Sequence, residues 1–273
     1  MSRIYPSDAA IAAELDGALA SGAFEAVFQP IARLTDGALA GFEALARWRR
    51  PDGELWGPDR FLRIAEANGK LRTISRFVLA RAVEQLTRWR VLTPSAQGLF
   101  LSVNISGADL EQGDMVSEAI MLAQAARLPA GALKLELTEH QILKDPDAAA
   151  RACTRLRDGG VAVALDDFGA GFASLAWLAR LPADTLKIDR SFVASIVKNV
   201  RAEKIVRAMI LLAHDLEMDV IGEGVESHDV RERLRDLNSD YAQGHLFAPP
   251  LSAQGAEALI LTLASADPLV SLS

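Results

Sequence analysis

Apolar positions first recur at a helical interval. Ile11, Leu15 and Leu19 lie four residues apart and predict one amphipathic helix over residues 9–20. Residues 24–34 are dense in apolar side chains and end at the turn signal Thr35-Asp36-Gly37. Residues 39–48 form a second such run, so the two read as a hairpin. Beyond it the rhythm becomes strand followed by helix. Ile74, Phe77, Val78, Leu86 and Trp89 place an apolar stripe on one long helix, and 98–105 reads as a buried strand. Residues 115–127 are helical and stop at Pro129 and Gly131. A strand over 133–138 precedes a helix over 146–158 that Gly159-Gly160 closes. Short strands follow at 161–165 and 185–188, then helical stretches at 192–197 and 204–216. A strand at 218–221, a helix at 229–237, a strand at 241–244 and a helix at 252–264 complete the pattern.

Eight short apolar strands alternating with helices predict a parallel sheet covered by helices. In a chain of this length, 273 residues, that arrangement predicts an α/β fold of the (β/α)8 barrel type rather than an open doubly wound sheet. The hairpin at the start is irregular for such a barrel. No linker, low-complexity tract or repeat interrupts the pattern, so one domain is expected over 1–273, with the barrel at about 8–260.

Composition narrows the function. Half the residues are hydrophobic and 24% are charged, which excludes a mainly disordered chain. No apolar run is long enough to predict a transmembrane helix, and no signal-peptide pattern opens the chain, so a cytoplasmic setting without membrane contact is expected. The formal charge of −7 disfavours DNA or other nonspecific nucleic-acid binding while leaving room for a local cationic pocket. The one cysteine, Cys153, lies in an amphipathic helical stretch and reads as a small buried hydrophobe.

The polar residues carry the chemistry. Glu43 sits within Gly41-Phe42-Glu43-Ala44-Leu45, and Asn104 within Val103-Asn104-Ile105. Glu136 and Glu139 occupy Leu135-Glu136-Leu137-Thr138-Glu139, and Asp166 and Asp167 close Leu165-Asp166-Asp167-Phe168. Lys187 and Asp189 fall in Leu186-Lys187-Ile188-Asp189, Glu223 in Ile221-Gly222-Glu223-Gly224, and Gln243 in Ala242-Gln243-Gly244. A charge in an apolar strand is costly unless paired or metal-bound. In a parallel barrel these strand ends converge on the C-terminal face, where active sites form. Oxygen ligands without His or Cys suit Mg²⁺ or Mn²⁺. Two such ions, with Asp166 and Asp167 each reaching one, would serve phosphoryl chemistry, with Lys187 orienting water and Glu223 holding an ion or accepting a proton. Asp189 is left open between a substrate contact and a helix cap. Gly169 and Gly171 suggest a mobile loop after the Asp pair.

The ordered set resembles the EAL domain, the bacterial cyclic di-GMP phosphodiesterase. It includes Glu43-Ala44-Leu45 with Arg47-Trp48, Gln29-Pro30, Ser102-Val103-Asn104, Glu136-Leu137-Thr138-Glu139 and Asp166-Asp167-Phe168-Gly169. Leu186-Lys187-Ile188-Asp189, Glu223-Gly224-Val225-Glu226 and Gln243-Gly244 follow in the same order. The resemblance implies a modified barrel whose first strand runs against the others. It implies that Glu43, Asn104, Glu136 and Asp166 hold one Mg²⁺ or Mn²⁺, that Asp166 and Asp167 hold the second, and that Ca²⁺ inhibits. It places Lys187 on the attacking water, Glu223 and Gln243 at the edge of the site, Arg47 on a substrate phosphate, and Gln29 and Leu45 along the ligand groove. Glu139 would steady the loop that contains Gly169 and Gly171. The implied reaction is metal-dependent hydrolysis of cyclic di-GMP to linear pGpG by a water that two ions activate. A homodimer and an upstream sensory or GGDEF domain are further implications.

Some residues depart from the family pattern. The loop reads Gly169-Ala170-Gly171-Phe172-Ala173-Ser174 where Gly-Thr-Gly-Tyr-Ser-Ser is usual, which bears on regulation and rate rather than ligation. His140, Gly222 and His245 also replace usual residues, and none removes a ligand. Two other readings are a cyclic di-GMP receptor without turnover and a different Mg²⁺-dependent barrel enzyme. Turnover of cyclic di-GMP separates the first reading from both.

Overall fold

The computed structural model describes residues 8–106, 109, 114–169 and 178–265. Its strands are β1 (Phe24–Arg33), β2 (Leu39–Arg49), β3 (Leu55–Trp56), β4 (Phe100–Asn104), β5 (Leu133–Thr138), β6 (Ala162–Phe168), β7 (Thr185–Ile188), β8 (Asp219–Gly222) and β9 (Tyr241–Gln243). All but β3 form a closed barrel in the order β1-β2-β4-β5-β6-β7-β8-β9, with β9 returning to β1. β1 is antiparallel to both neighbours, and the remaining barrel pairs are parallel. The exception follows from the first turn. Asp36 accepts the Ala38 N–H at 3.0 Å and Gly37 takes φ +71°, so the chain reverses without the crossover helix that a parallel neighbour needs.

The expected helices are present with shifted ends, and the sequence pattern left out some elements. Pro58–Ala67 and Glu139–Lys144 are helices, and β3 pairs with the end of β2. Pro58 starts its helix at a position that needs no N–H donor, and Phe61, Ile64 and Ala65 form its buried face. The expected helix over 192–197 is instead Arg190–Val193, started by the Asp189 cap. The next helix begins at Val200 because Asn199 accepts the N–H groups of Arg201 and Ala202. β4 is shorter than expected because Ser95–Gly98 turns as a 3-10 segment, and β6 is longer, running on to Phe168.

Alternation divides the barrel strands between two environments. Leu101, Val103, Leu133, Leu135, Leu137, Val163, Leu165 and Leu186 join the main core with the surrounding helices, as does the buried Cys153. Ile31, Phe100, Ile221 and Tyr241 form a small apolar cluster of their own. Beside it the buried Lys134 donates to Thr185 at 2.8 Å and lies 4.3 Å from the Phe100 ring centre. A third cluster gathers Ile11 and Leu15 of the Asp8–Ser21 helix with Phe24, Trp48, Trp56, Phe61, Ile64 and Ile74. Among the described residues, no helix is long and apolar enough to cross a membrane.

Gly244 closes the top of the barrel. A β-carbon there would stand 2.1 Å from the Val225 carbonyl oxygen, while Val225 N–H donates to the Gln243 carbonyl at 3.0 Å. Both partners are backbone, so no side chain can yield. Gly244→Ala is expected to lower stability by about 1–3 kcal/mol in urea unfolding. A variant as stable as the parent would contradict this account of the seam.

Candidate active site

The site is built by alternation at the C-terminal ends of the parallel strands. Glu43, Leu45 and Arg47 share one face of β2, because side chains repeat every second residue. Register then aligns the neighbours: Gln29 of β1 lies opposite Glu43, and Asn104 of β4 lies beside Glu136 of β5. Asn104 donates to one Glu43 carboxylate oxygen at 2.8 Å, and Gln243 of β9 donates to the other at 2.8 Å. Glu43 is thus fixed in orientation by two amides from opposite sides.

Lys187 of β7 occupies the centre. Its ammonium lies 2.7 Å from Glu223, 2.8 Å from Glu136, 3.0 Å from Asp166 and 3.5 Å from Glu43. The lysine side chain is 1% exposed and Glu136 is fully buried, so water contributes little to either. Burial alone would strip the proton from Lys187, but Asp166, Glu136, Glu223 and Glu43 together outweigh it and hold the ammonium well above its ordinary range. Glu136 is pushed well above the ordinary glutamate value by burial and by Glu43, against the pull of Lys187. Glu223 is pushed up to about 8, by burial first, with Lys187 opposing and Asp166 adding to the rise.

Two adjacent aspartates reach one place because β6 is irregular. Its pairing with β7 shifts register between Leu165 and Phe168, and Asp167 takes φ +54°, the left-handed region. In a regular strand neighbouring side chains point to opposite faces. Here carboxylate oxygens of Asp166, Asp167 and Glu223 all fall within 4.8 Å of one another. Asp167 is pushed above its ordinary value by burial and by the charges of Asp166 and Asp189. The donor set fits divalent cations. Its oxygens are hard, Glu136 Oε1 is buried without a hydrogen-bond partner, and five carboxylates face one ammonium. Four net negative charges, if all five ionise, equal the charge of two divalent ions.

A cavity of about 290 Å³ adjoins this cluster. Leu45 and Asn104 line it from the barrel, Pro58, Leu62 and Ile74 form an apolar wall, and Ser75 and Gln141 add polar atoms. Arg47 is half-buried, donates to the Ala46 carbonyl at 2.9 Å, and is lowered by burial, with Asp59 and Glu43 opposing. Asp189 accepts the Ser191 N–H at 3.0 Å as a helix cap. Glu139 opens a short helix capped by Thr138, whose hydroxyl and the Gln141 amide satisfy each other's backbone N–H groups. Glu139 Oε2 accepts the Gly169 N–H at 3.4 Å, and Gly169 has φ +97°. Gly171 and the rest of the loop through residue 177 lie outside the described residues.

The structure therefore brings Glu43, Asn104, Glu136, Asp166, Lys187, Glu223 and Gln243 into one hydrogen-bonded and ionic cluster, with Asp167 at its edge. Sequence reasoning did not foresee that Lys187 would join four carboxylates, nor the cavity wall from the Pro58–Ala67 and Leu71–Trp89 helices. The model of the EAL domain matches residues 12–250. The chain belongs to the EAL domain family. It is 38% identical over 262 residues to the cyclic di-GMP phosphodiesterase NbdA of Pseudomonas aeruginosa, covering 95% of this chain and 33% of that protein. The PaMucR phosphodiesterase, solved as a c-di-GMP complex, superposes with a TM-score of 0.84 and is 32% identical, covering 90% of this chain and 98% of that one. The FimX EAL domain of Pseudomonas aeruginosa bound to c-di-GMP gives a TM-score of 0.79 at 26% identity, covering 90% of this chain and 97% of that one. This EAL chain spans about a third of the length of curated relatives such as NbdA.

The raised carboxyls set a pH dependence. Glu136 and Glu223 keep protons in the folded EAL barrel where the unfolded chain has released them. The folded state then binds more protons, so stability falls as pH rises from the ordinary glutamate value of 4.5 toward about 8. Lys187 adds nothing in this window, because it is protonated in both states. Urea unfolding in chelator is expected to give lower stability at pH 8 than at pH 5, with Mn²⁺ removing most of the difference. A flat profile in chelator would contradict the assignment.

Proposed function

We propose that this EAL chain, acting as one unit over residues 1–273, hydrolyses cyclic di-GMP to linear pGpG with Mg²⁺ or Mn²⁺. The observation that carries the reading is the lysine-centred carboxylate cluster at the mouth of the barrel, next to a cavity fit for a nucleobase. Relatives of matching fold that are named as phosphodiesterases or solved with c-di-GMP support it. Glu43, Asn104, Glu136, Asp166, Asp167 and Glu223 would hold the ions. Bound divalent ions supply Lewis acidity at the phosphate and bring a water's pKa near neutrality.

The chain's own groups divide the rest of the work. Arg47, on the strand face of Glu43 and Leu45, offers planar paired donors to a phosphate. Leu45, Gln29 and Gln243 border the groove in which the cyclic dinucleotide lies. Lys187 stays protonated and, with its ammonium set among Glu223, Glu136 and Asp166, would orient the attacking water. Glu223, 18% exposed and raised above its ordinary value, would accept the water's proton when ionised. Glu139 steadies Gly169 and with it the start of the loop. Asp189, spent on its cap, adds negative potential near Asp167. The exposed Val197, Val200 and Ile205 are consistent with pairing to a second copy.

Chromatography of the nucleotides tests the proposal. Linear pGpG is expected with Mg²⁺ or Mn²⁺, and none with Ca²⁺ or chelator. Glu43→Ala and Asp166→Ala are expected to reduce turnover to background, and Lys187→Ala to lower it by about 10²-fold or more while sparing much of the binding. Tight binding without product in every metal would instead identify a receptor, and near-parental turnover in Asp166→Ala would remove the two-ion reading.

A further inference from the structure

The cavity wall has a second side. In the Pro58–Ala67 helix, Pro58 and Leu62 face the cavity, while Phe61, Ile64 and Ala65 enter the separate apolar cluster that holds the Asp8–Ser21 helix. Ile74 belongs to both, since it lines the cavity and is buried in that cluster. Leu62 and Ala46 also line the cavity and pack against the same cluster. This part of the wall is therefore a partition one helix thick. The catalytic cluster lies beyond the cavity on one side, and the Asp8–Ser21 helix lies on the other.

Arg50 locks the two sides together. It follows Arg47 by three residues along the chain, past the end of β2, yet it is buried. Its guanidinium lies 4.7 Å from the Trp48 ring centre and 4.4 Å from that of Trp56. Glu14 of the Asp8–Ser21 helix pairs with it ionically. Trp48 in turn stacks on Phe24 at 5.7 Å and meets Phe61 edge-on at 6.1 Å. A guanidinium set against two indoles that meet edge-on is positioned more tightly than an ammonium would be. The second clasp, Lys70 with Asp16, joins the same helix to the start of the Leu71–Trp89 helix, which supplies Ile74, Ser75 and Val78 to the cavity.

We propose that Arg50 and the Asp8–Ser21 helix are positioning elements for substrate binding: they brace the partition from behind and so set the width of the cavity beside Leu45 and Asn104. Neither touches the carboxylate cluster, so loosening the brace changes affinity and leaves the chemical step in place. The inference rests on the reading of the cavity as part of the cyclic di-GMP groove. It adds that affinity is tunable from the outer helix, at a distance from every metal ligand.

The experiment compares KM and kcat for cyclic di-GMP in Mn²⁺, with thermal midpoints for every protein. Arg50→Met is expected to raise KM about tenfold with kcat within about twofold, the signature of lost binding shared by ground and transition states. Glu14→Gln, a mild change on a partly exposed side chain, is expected to shift KM in the same direction. Arg50→Lys keeps the charge but loses the guanidinium's broad contact with the two indoles, so its KM should fall between parent and Arg50→Met. Leu156→Ala in the main core serves as a control of comparable or larger destabilisation that leaves KM unchanged. Parental KM in both Arg50→Met and Glu14→Gln would overturn the proposal, as would an equal rise in Leu156→Ala. Absence of product from the parent chain would count against the phosphodiesterase reading itself, and would be seen before any variant is compared.

Discussion

One buried ammonium organises the active end of this barrel. Lys187 lies within 3.0 Å of three carboxylates and within 3.5 Å of a fourth, with 1% of its side chain exposed. Without a central cation, four strand ends carrying Glu43, Glu136, Asp166 and Glu223 would repel one another in a low-dielectric interior. With it they converge, and the charge left over is negative and fixed in place. That remainder makes the site a receptacle for divalent cations. The same residue that draws these carboxylates together therefore leaves the site electrostatically incomplete. Burial first, and neighbouring carboxylates after it, raise Glu136 and Glu223, so both hold a proton more tightly than a free glutamate does.

Much of this was legible in the sequence, for a physical reason. Strands that are buried on both faces read as apolar runs, so each charged interruption stands out, and in a parallel barrel all the interruptions meet at one end. The antiparallel first strand was legible through Thr35-Asp36-Gly37, whose short turn excludes a crossover. The features that did not show are those that depend on tertiary geometry. Asp166 and Asp167 would point apart in a regular strand, and nothing in their identity announces the register shift or the left-handed backbone of Asp167. The Pro58–Ala67 helix did carry a signal, Pro58 followed by Phe61, Leu62, Ile64 and Ala65 at helical spacing, while Glu139–Lys144 is less than two turns long. Asp189 kept two readings in the sequence, and the structure gives it a cap to hold.

The molecule also separates what needs rigidity from what can be adjusted. The carboxylate cluster rests on barrel strands backed by the main core, where Leu135, Leu165 and Leu186 are buried. The cavity beside it is walled in part by the Pro58–Ala67 helix, whose other face belongs to a different apolar cluster, while Ala44, Val78 and Ile105 of its lining belong to the main core. The Pro58–Ala67 side of the cavity is thus backed by the outer cluster, whereas the strands that carry Glu136, Asp166 and Lys187 rest on the main core.

The central claim is that the lysine-centred cluster is built for two divalent cations. Calorimetric titration of Mn²⁺ into the metal-free chain near pH 7, repeated in buffers of different ionisation enthalpy, tests it most directly. The account predicts saturation at about two ions per chain with release of protons, as Glu136 and Glu223 give up theirs to the incoming charge. Absence of saturable binding, or binding with no proton release, would contradict it.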